Sequence, residues 1–107
     1  MDDRRIFQRF PVKLDLRYLD LSNGKDGLAS TFNISAKGLG LLTTEELRTH
    51  SAVELWVKVS ERGEPLYTRG EVVWSSQNLS GDFRSGINLE KAELMGLSRA
   101  LRQALNS

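Results

Sequence analysis

Apolar and polar residues alternate near the start of the chain. Over residues 12–18 every second position is apolar, and these positions are Val12, Leu14, Leu16 and Tyr18. A period of two is typical of a β-strand that buries one face. Further strand-like segments, separated by residues that favour turns, lie at about 28–34, 39–43, 53–59, 66–75 and 83–89. The pattern therefore predicts six short antiparallel strands.

The spacing of apolar residues changes near the C-terminus. Leucines recur there at helical spacing, at Leu94, Leu97, Leu101 and Leu105, which predicts a helix over about residues 91–106. This leucine stripe is expected to pack on the sheet or, in part, on a partner. Six short strands followed by one helix favour a barrel, because closing the sheet removes its edges. The expected fold class is all-β with one C-terminal helix, a six-stranded antiparallel β-barrel.

The two tryptophans and one connector have specific expected positions. Strand alternation points Trp56 outwards, whereas Trp74 shares a face with Val72 and is expected in the core. Residues 44–51 are mostly polar, which predicts a connector with a helical turn at 45–48.

Composition narrows the class of protein. The chain has 107 residues, which suits one compact domain, and its formal net charge of +1 gives no overall field that attracts DNA or a membrane. It contains no cysteine, and its single histidine, His50, lies in the polar connector, so cysteine-based catalysis and cysteine metal sites are excluded. No apolar stretch approaches the roughly 18–20 residues of a membrane span. We expect a cytoplasmic protein with no metal, no cofactor and no membrane insertion.

An arginine cluster precedes the first strand. Arg4, Arg5 and Arg9 lie within six residues of one another. The guanidinium group is a planar fork of donors that matches phosphate oxygens and the O6 and N7 atoms of guanine. On its own, such a cluster is more often a solvated chain end. Residues 1–11 have few apolar groups that could pack against the rest of the domain, so they are expected to form a flexible ligand-binding arm. Residues 12–107 are expected to form the barrel and its helix.

A second polar cluster lies at the end of the second predicted strand. Alternation places Asn33 and Ser35 on the outer face and sends Phe32 and Ile34 into the core. The following Gly38 suits a turn and allows a ligand to approach the backbone closely. The alternative is that the two polar side chains only bond to their own backbone in a turn.

These two clusters resemble the paired motifs of PilZ domains. The RxxxR motif of that family corresponds to Arg5 and Arg9, and its [D/N]xSxxG motif corresponds to residues 33–38. Residues 70–74 and 86–89 are also similar to the late strands of the family, so the resemblance covers nearly the whole chain. Both motifs in this order are much more specific than either alone. The resemblance implies a six-stranded barrel with a C-terminal helix and cyclic di-GMP as the ligand.

The resemblance also implies a role for each matched residue. Arg5 and Arg9 would grip guanine edges and phosphates. Asn33 and Ser35 would hydrogen-bond to a guanine or a phosphate. Gly38 would allow the turn and the close approach of the ligand.

Arg4 directly precedes the first motif, an arrangement that resembles the one by which this family takes up an intercalated pair of cyclic di-GMP molecules. The implied function is a regulatory receptor that changes its conformation or its partner binding on ligand uptake, and not an enzyme. A single-domain receptor would act through an unknown downstream protein. The alternatives are a protein-interaction adaptor of the same fold and, less favoured, a single-stranded nucleic-acid-binding barrel. Nucleic-acid binding is not expected, because the arginines cluster at one end and the other faces mix both charge signs.

Overall fold

Six strands close into a barrel in the computed structural model, which describes residues 13–35, 37–61 and 63–105. The elements are β1 (Asp15–Asp20), β2 (Lys25–Ser35), β3 (Gly38–Thr43), β4 (Ala52–Val57), β5 (Leu66–Gln77), β6 (Phe83–Leu89) and α1 (Lys91–Leu105). Neighbouring strands are antiparallel in the order β1-β2-β3-β6-β5-β4, and β4 pairs with β1 to complete the circle. The expected fold class is confirmed.

The period-two pattern decides which side chains fill the barrel. Leu16 and Tyr18 of β1 are buried, and Val53, Leu55 and Val57 of β4 have no exposed surface. Trp56 points outwards between the last two, as alternation predicts. Complete burial of one such aliphatic side chain contributes about 1.5–3 kcal/mol to stability. The inner faces therefore supply the main stabilising term of the fold.

Helix α1 packs its leucine stripe on the barrel. Leu97 and Leu101 are buried in the same core as the strand residues. The side chains of Leu94 and Leu105 lie outside the part of the chain that the structure describes. Burial of the two described leucines agrees with packing on the barrel rather than on a partner.

The first turn of α1 is fixed to β5 through Glu93. Its Oε1 accepts hydrogen bonds from Thr68 Oγ1 and from the Arg69 backbone N–H, each at 3.2 Å. The contact with two successive β5 residues determines where the helix starts on the barrel.

A β-bulge in β2 overturns one expected core position. The register between β2 and β3 shifts between Thr31 and Asn33, so β2 has one extra residue at this point. Thr31 and Ile34 are both buried, whereas Phe32 is only partly buried. The expectation that Phe32 lies in the core is therefore wrong, because a bulge breaks the strict alternation of faces.

A second bulge, in β5, overturns the expected position of Trp74. The register between β5 and β6 shifts between Val72 and Trp74. Val72 is fully buried, but Val73 and Trp74 are 45% and 42% exposed. The extra residue turns both side chains outwards, so the prediction that Trp74 lies in the core is wrong for the same physical reason.

The connector between β3 and β4 contains no helical turn at 45–48, contrary to the prediction. Leu47 is buried there in the main core, and a non-helical path carries its side chain inwards. His50 has a positive φ of 75°, and its backbone N–H donates to the Val72 carbonyl at 2.7 Å. Burial of Leu47 and backbone hydrogen bonds to Val72, including the one from Val72 N–H to the Ser51 carbonyl at 2.9 Å, thus hold the connector.

Candidate functional site

A pocket of about 470 Å³ lies on the outer face of the barrel where β2 ends. Its walls come from the end of β2, the turn into β3, and the middle of β5 and β6. The residues that line it are Asn33, Ser35, Lys37, Gly38, Leu39, Gly40, Val73, Trp74, Gly86, Ile87 and Asn88. They include Asn33, Ser35 and Gly38, the three residues that the second sequence motif predicts for the site.

Gly38 sits where the chain turns tightly against β6. Its φ is 151°, and a Cβ at this position would overlap the carbonyl oxygen of Ile87. The neighbouring Lys37 carbonyl accepts a hydrogen bond from the Leu89 N–H at 2.9 Å. Only glycine combines this backbone angle with so close an approach of β3 to β6.

Asn33 and Ser35 occupy different local environments in the pocket. Asn33 pairs with Gly40 across the β2–β3 ladder, and its Oδ1 would lie 2.7 Å from a Cβ added to that glycine. Ser35 Oγ accepts a long hydrogen bond of 3.4 Å from the Lys37 backbone N–H. The serine therefore has a local turn contact, as the turn alternative predicts, and both side chains also line the pocket.

Two paired glycines form a flat floor for the pocket. Gly40 of β3 and Gly86 of β6 are direct partners in the ladder. The indole of Trp74 lies over Gly86, where an added Cβ would overlap the ring, and the Phe32 ring lies over Gly40. Because neither glycine has a side chain, both aromatic rings can lie against the backbone of the sheet. The exposed part of the Trp74 indole thus becomes a side of the pocket.

A comparison with protein-family sequence patterns gives a match to the PilZ domain over residues 3–105. The chain belongs to the PilZ domain family. PilZ domains are a family of cyclic di-GMP receptors and regulatory modules, so the resemblance carried by the two motifs is confirmed at the level of the family.

Structural comparison agrees with this assignment. The inhibitor of motility MotI/DgrA of Bacillus subtilis superposes with a TM-score of 0.66 at 17% sequence identity, over 97% of this chain and 53% of that one. This PilZ domain therefore spans about half the length of the solved protein, and at this identity the similarity concerns the fold. A comparison with curated proteins gave no match.

Arg5 and Arg9 of the first PilZ motif, and Arg4 just before it, lie outside the residues that the structure describes. All three fall within residues 1–12. Their expected role in ligand binding, and the flexible arm over residues 1–11, stay predictions.

The first described residues of the PilZ domain show where the N-terminal segment enters. Thr31 N–H donates to the Leu14 carbonyl, and Leu14 N–H donates to Thr31 Oγ1, both at 2.9 Å. β1 and β2 are antiparallel with Asp15 opposite Ser30, so the backbone at Leu14 is directed along β2 towards Asn33. The chain thus joins the barrel two residues along β2 from the second motif.

Electrostatics of the described pocket suit a polar anion. Among its described lining residues Lys37 is the one charged group, and no carboxylate is present. Lys37 and Asn88 are both exposed, so their polar ends are available to solvent or to a ligand. A phosphate would meet an ammonium group and amide donors among these lining residues. The acidic side chain next to them is Glu71, the cross-strand partner of Asn88, which is outside the lining.

Sequence reasoning missed Trp74, Lys37 and Asn88 as pocket residues. For Trp74 a signal was present, because glycine inside a strand often marks a bulge or the close approach of another group. Gly86 lies within the predicted sixth strand and leaves room for the indole. Lys37 also had a signal, because it lies inside the second motif between Ser35 and Gly38. Asn88 carries no local signal, since only the β3–β6 pairing brings it beside Gly38.

Within residues 13–35, 37–61 and 63–105, no group of three or more histidine or acidic side chains could hold a metal ion. Over the same ranges no helix has the length and apolar character needed to cross a bilayer.

Proposed function

We propose that this PilZ domain is a regulatory receptor that binds cyclic di-GMP. The observation that carries the proposal is the pocket, in which Asn33, Ser35 and Gly38 of the second motif lie beside the half-exposed indole of Trp74. A nucleotide site needs a few convergent polar groups and an aromatic face, and this pocket offers both.

The guanine bases of the ligand would use the aromatic and amide groups. A guanine stacked on Trp74 would gain roughly 1–3 kcal/mol, the usual range for one base on one aromatic ring. The amide of Asn33 offers both donors and an acceptor, so it can pair with a guanine edge that has the same mixture. Because Gly86 has no side chain, the indole lies against the sheet, and the exposed part of the ring is the surface on which a base would stack.

The phosphates of the ligand would use the basic groups. Lys37 lies at the described edge of the pocket, and we assign Arg5 and Arg9 of the N-terminal motif to the same ligand. From Lys13, a span of four residues reaches at most roughly 14 Å. The direction of the backbone at Leu14, along β2 towards Asn33, supports a closure of Arg9 over the pocket. Charge-assisted hydrogen bonds to phosphate contribute roughly 1.5–3 kcal/mol each.

The regulatory output would come from residues 1–11. Closure of this arm over the ligand would change the surface that the domain offers to a downstream protein, an order–disorder type of switch. We include Arg4 as the residue that would hold the second molecule of an intercalated ligand pair. The proposal involves no chemical conversion of the ligand, and it includes a cytoplasmic location.

Isothermal titration calorimetry with cyclic di-GMP tests the proposal. Four such contacts, less the cost of ordering the arm, predict a dissociation constant of roughly 1 µM or lower, about −8 kcal/mol. Arg9→Ala should abolish measurable binding, whereas Arg48→Ala, an exposed arginine of the connector, should bind like the wild type. GMP should give much weaker binding, because it supplies one base and one phosphate.

Two further variants test the described part of the pocket and the stoichiometry. Trp74→Leu should weaken binding roughly tenfold or more, and the matched Trp56→Leu, on the other side of the barrel, should not. Two ligands per chain in the wild type, falling towards one in Arg4→Ala, would support the intercalated pair. A folded wild-type protein that gives no binding heat at tens of micromolar would refute the receptor function.

A further inference from the structure

A carboxylate stands beside the pocket on the β5 side. Glu71 of β5 is the cross-strand partner of Asn88, and Asn88 in turn pairs with Gly38. Asn88 and Gly38 both line the pocket, whereas Glu71 lies just outside the lining. Directly paired residues of neighbouring strands point to the same face of a sheet. The exposed Glu71 side chain therefore stands on the outer face that carries the pocket.

The β-bulge in β5 places this carboxylate near the indole of Trp74. Glu71 lies opposite Asn88 of β6. Trp74 lies opposite Gly86, which comes two residues earlier on β6. The two β5 side chains are therefore separated by about 7 Å along the strand direction. A base stacked on the exposed part of the indole has its edge within reach of the carboxylate.

His50 contacts one oxygen of the same carboxylate. Its Nδ1 lies 3.4 Å from Glu71 Oε2, and its backbone N–H donates to the Val72 carbonyl at 2.7 Å. His50 holds this position with a φ of 75°, an uncommon conformation for a residue other than glycine. A carboxylate has about four lone-pair sites, so the contact orients Glu71 and leaves acceptor capacity for a ligand.

The two sides of the pocket differ in chemistry. The β2–β3 side carries the ammonium group of Lys37, which is a donor and never an acceptor. The β5 side carries the aromatic ring of Trp74 and, beside it, the Glu71 carboxylate, which only accepts. Phosphate oxygens fit the first side. A flat base that has donors along its edge fits the second.

We propose that Glu71 recognises the Watson–Crick edge of a guanine stacked on Trp74, and so selects guanine over other bases. This inference rests on the proposed receptor function and adds the residue that sets base selectivity. The edge of guanine carries two donors, N1–H and the N2 amino group, and they match the two oxygens of one carboxylate. Adenine has an acceptor at N1 and no N2 amino group, so the same carboxylate disfavours it.

A carboxylate that does not touch the base would have the opposite effect on affinity. Cyclic di-GMP carries two negatively charged phosphates, and a Glu71 side chain without a contact to the base would only repel them. Its removal would then strengthen binding. The sign of the change in affinity on replacing Glu71 therefore separates direct recognition of guanine from mere proximity of a like charge.

Calorimetry with cyclic di-GMP and cyclic di-IMP tests the inference. The hypoxanthine bases of cyclic di-IMP lack the N2 amino group and keep the other edge atoms of guanine. The wild type should bind cyclic di-GMP roughly tenfold more tightly or better, because a hydrogen bond to a charged group is lost with the analogue. Glu71→Ala should bind cyclic di-GMP roughly tenfold more weakly than the wild type, and its preference over cyclic di-IMP should fall roughly threefold or more.

Two further variants serve as comparisons. Glu71→Gln keeps one acceptor oxygen, so its affinity for cyclic di-GMP should lie between those of the wild type and Glu71→Ala. Glu46→Gln removes the same charge from an exposed position on the connector. It should bind both dinucleotides within about twofold of the wild type, because a distant exposed charge is screened by salt.

Three results would overturn the inference while the receptor function stands. Tighter binding of cyclic di-GMP by Glu71→Ala would show that the carboxylate only repels the phosphates. An unchanged preference in a folded Glu71→Ala would place the N2 amino group on another residue. A wild type that binds both dinucleotides equally would mean that no residue recognises this group. A folded wild type that binds neither dinucleotide would instead refute the receptor function, and the inference with it.

Discussion

Gly38 combines a structural requirement with a position in the wall of the candidate pocket. It belongs to the motif that identifies the family and lines the pocket, yet its backbone angle and its approach to Ile87 would require glycine without any ligand. A loss of ligand binding on substitution would therefore not assign it to the ligand. Stability has to be measured beside binding, because the two roles predict different results.

Replacing Gly38 by alanine should destabilise the fold by roughly 3 kcal/mol or more. Backbone strain and the overlap with the Ile87 carbonyl would each cost about 1–3 kcal/mol. Gly24→Ala is the matched control, because its φ of 74° is also positive but nothing lies within 4 Å of an added Cβ. It should cost about 1–2 kcal/mol.

Urea denaturation measures both glycine variants, with the midpoint expected to fall and the slope to stay constant. Equal losses of stability in the two variants would mean that the close contact between Gly38 and β6 adds nothing to the cost of the Gly38 substitution. Normal stability together with lost cyclic di-GMP binding would instead assign Gly38 to the ligand alone.

At the scale of the elements, hydrophobic periodicity predicted where the strands lie in the sequence but did not predict the β-bulges within them. β6 (Phe83–Leu89) lies where the pattern places it, because its apolar positions keep a period of two to the end. Phe32 and Trp74 were misplaced because β2 and β5 each contain an extra residue, which strict alternation of faces does not include. The pocket depends on both bulges, so its aromatic side was the part that periodicity could not provide.

The position of α1 depends on one side chain that periodicity does not distinguish. Removing the Glu93 carboxylate should lower stability by about 1–2 kcal/mol, because Thr68 Oγ1 and the Arg69 N–H lose their acceptor. Glu93→Ala should show the full loss. Glu93→Gln keeps an oxygen at the same place and should lose less than half as much.

Hydrogen exchange locates this effect, since amide protection in α1 should fall more than protection in β1 to β4. Arg99→Ala, an exposed change on the same helix, is the control and should alter neither quantity. A uniform loss of amide protection across the barrel in Glu93→Ala would mean that Glu93 stabilises the whole fold rather than the position of α1 on the barrel.

At the scale of the whole molecule, the order of strands confines the pocket to one side of the barrel. In the closed order β1-β2-β3-β6-β5-β4, the pair β3–β6 lies across the barrel from the pair β1–β4. The floor of the pocket is built on the first pair. A closed barrel with a packed core has few ways to transmit a change from one side to the other. A signal from the ligand is therefore expected to leave the domain on the side of the pocket, through residues 1–11, the segment that the proposed function moves.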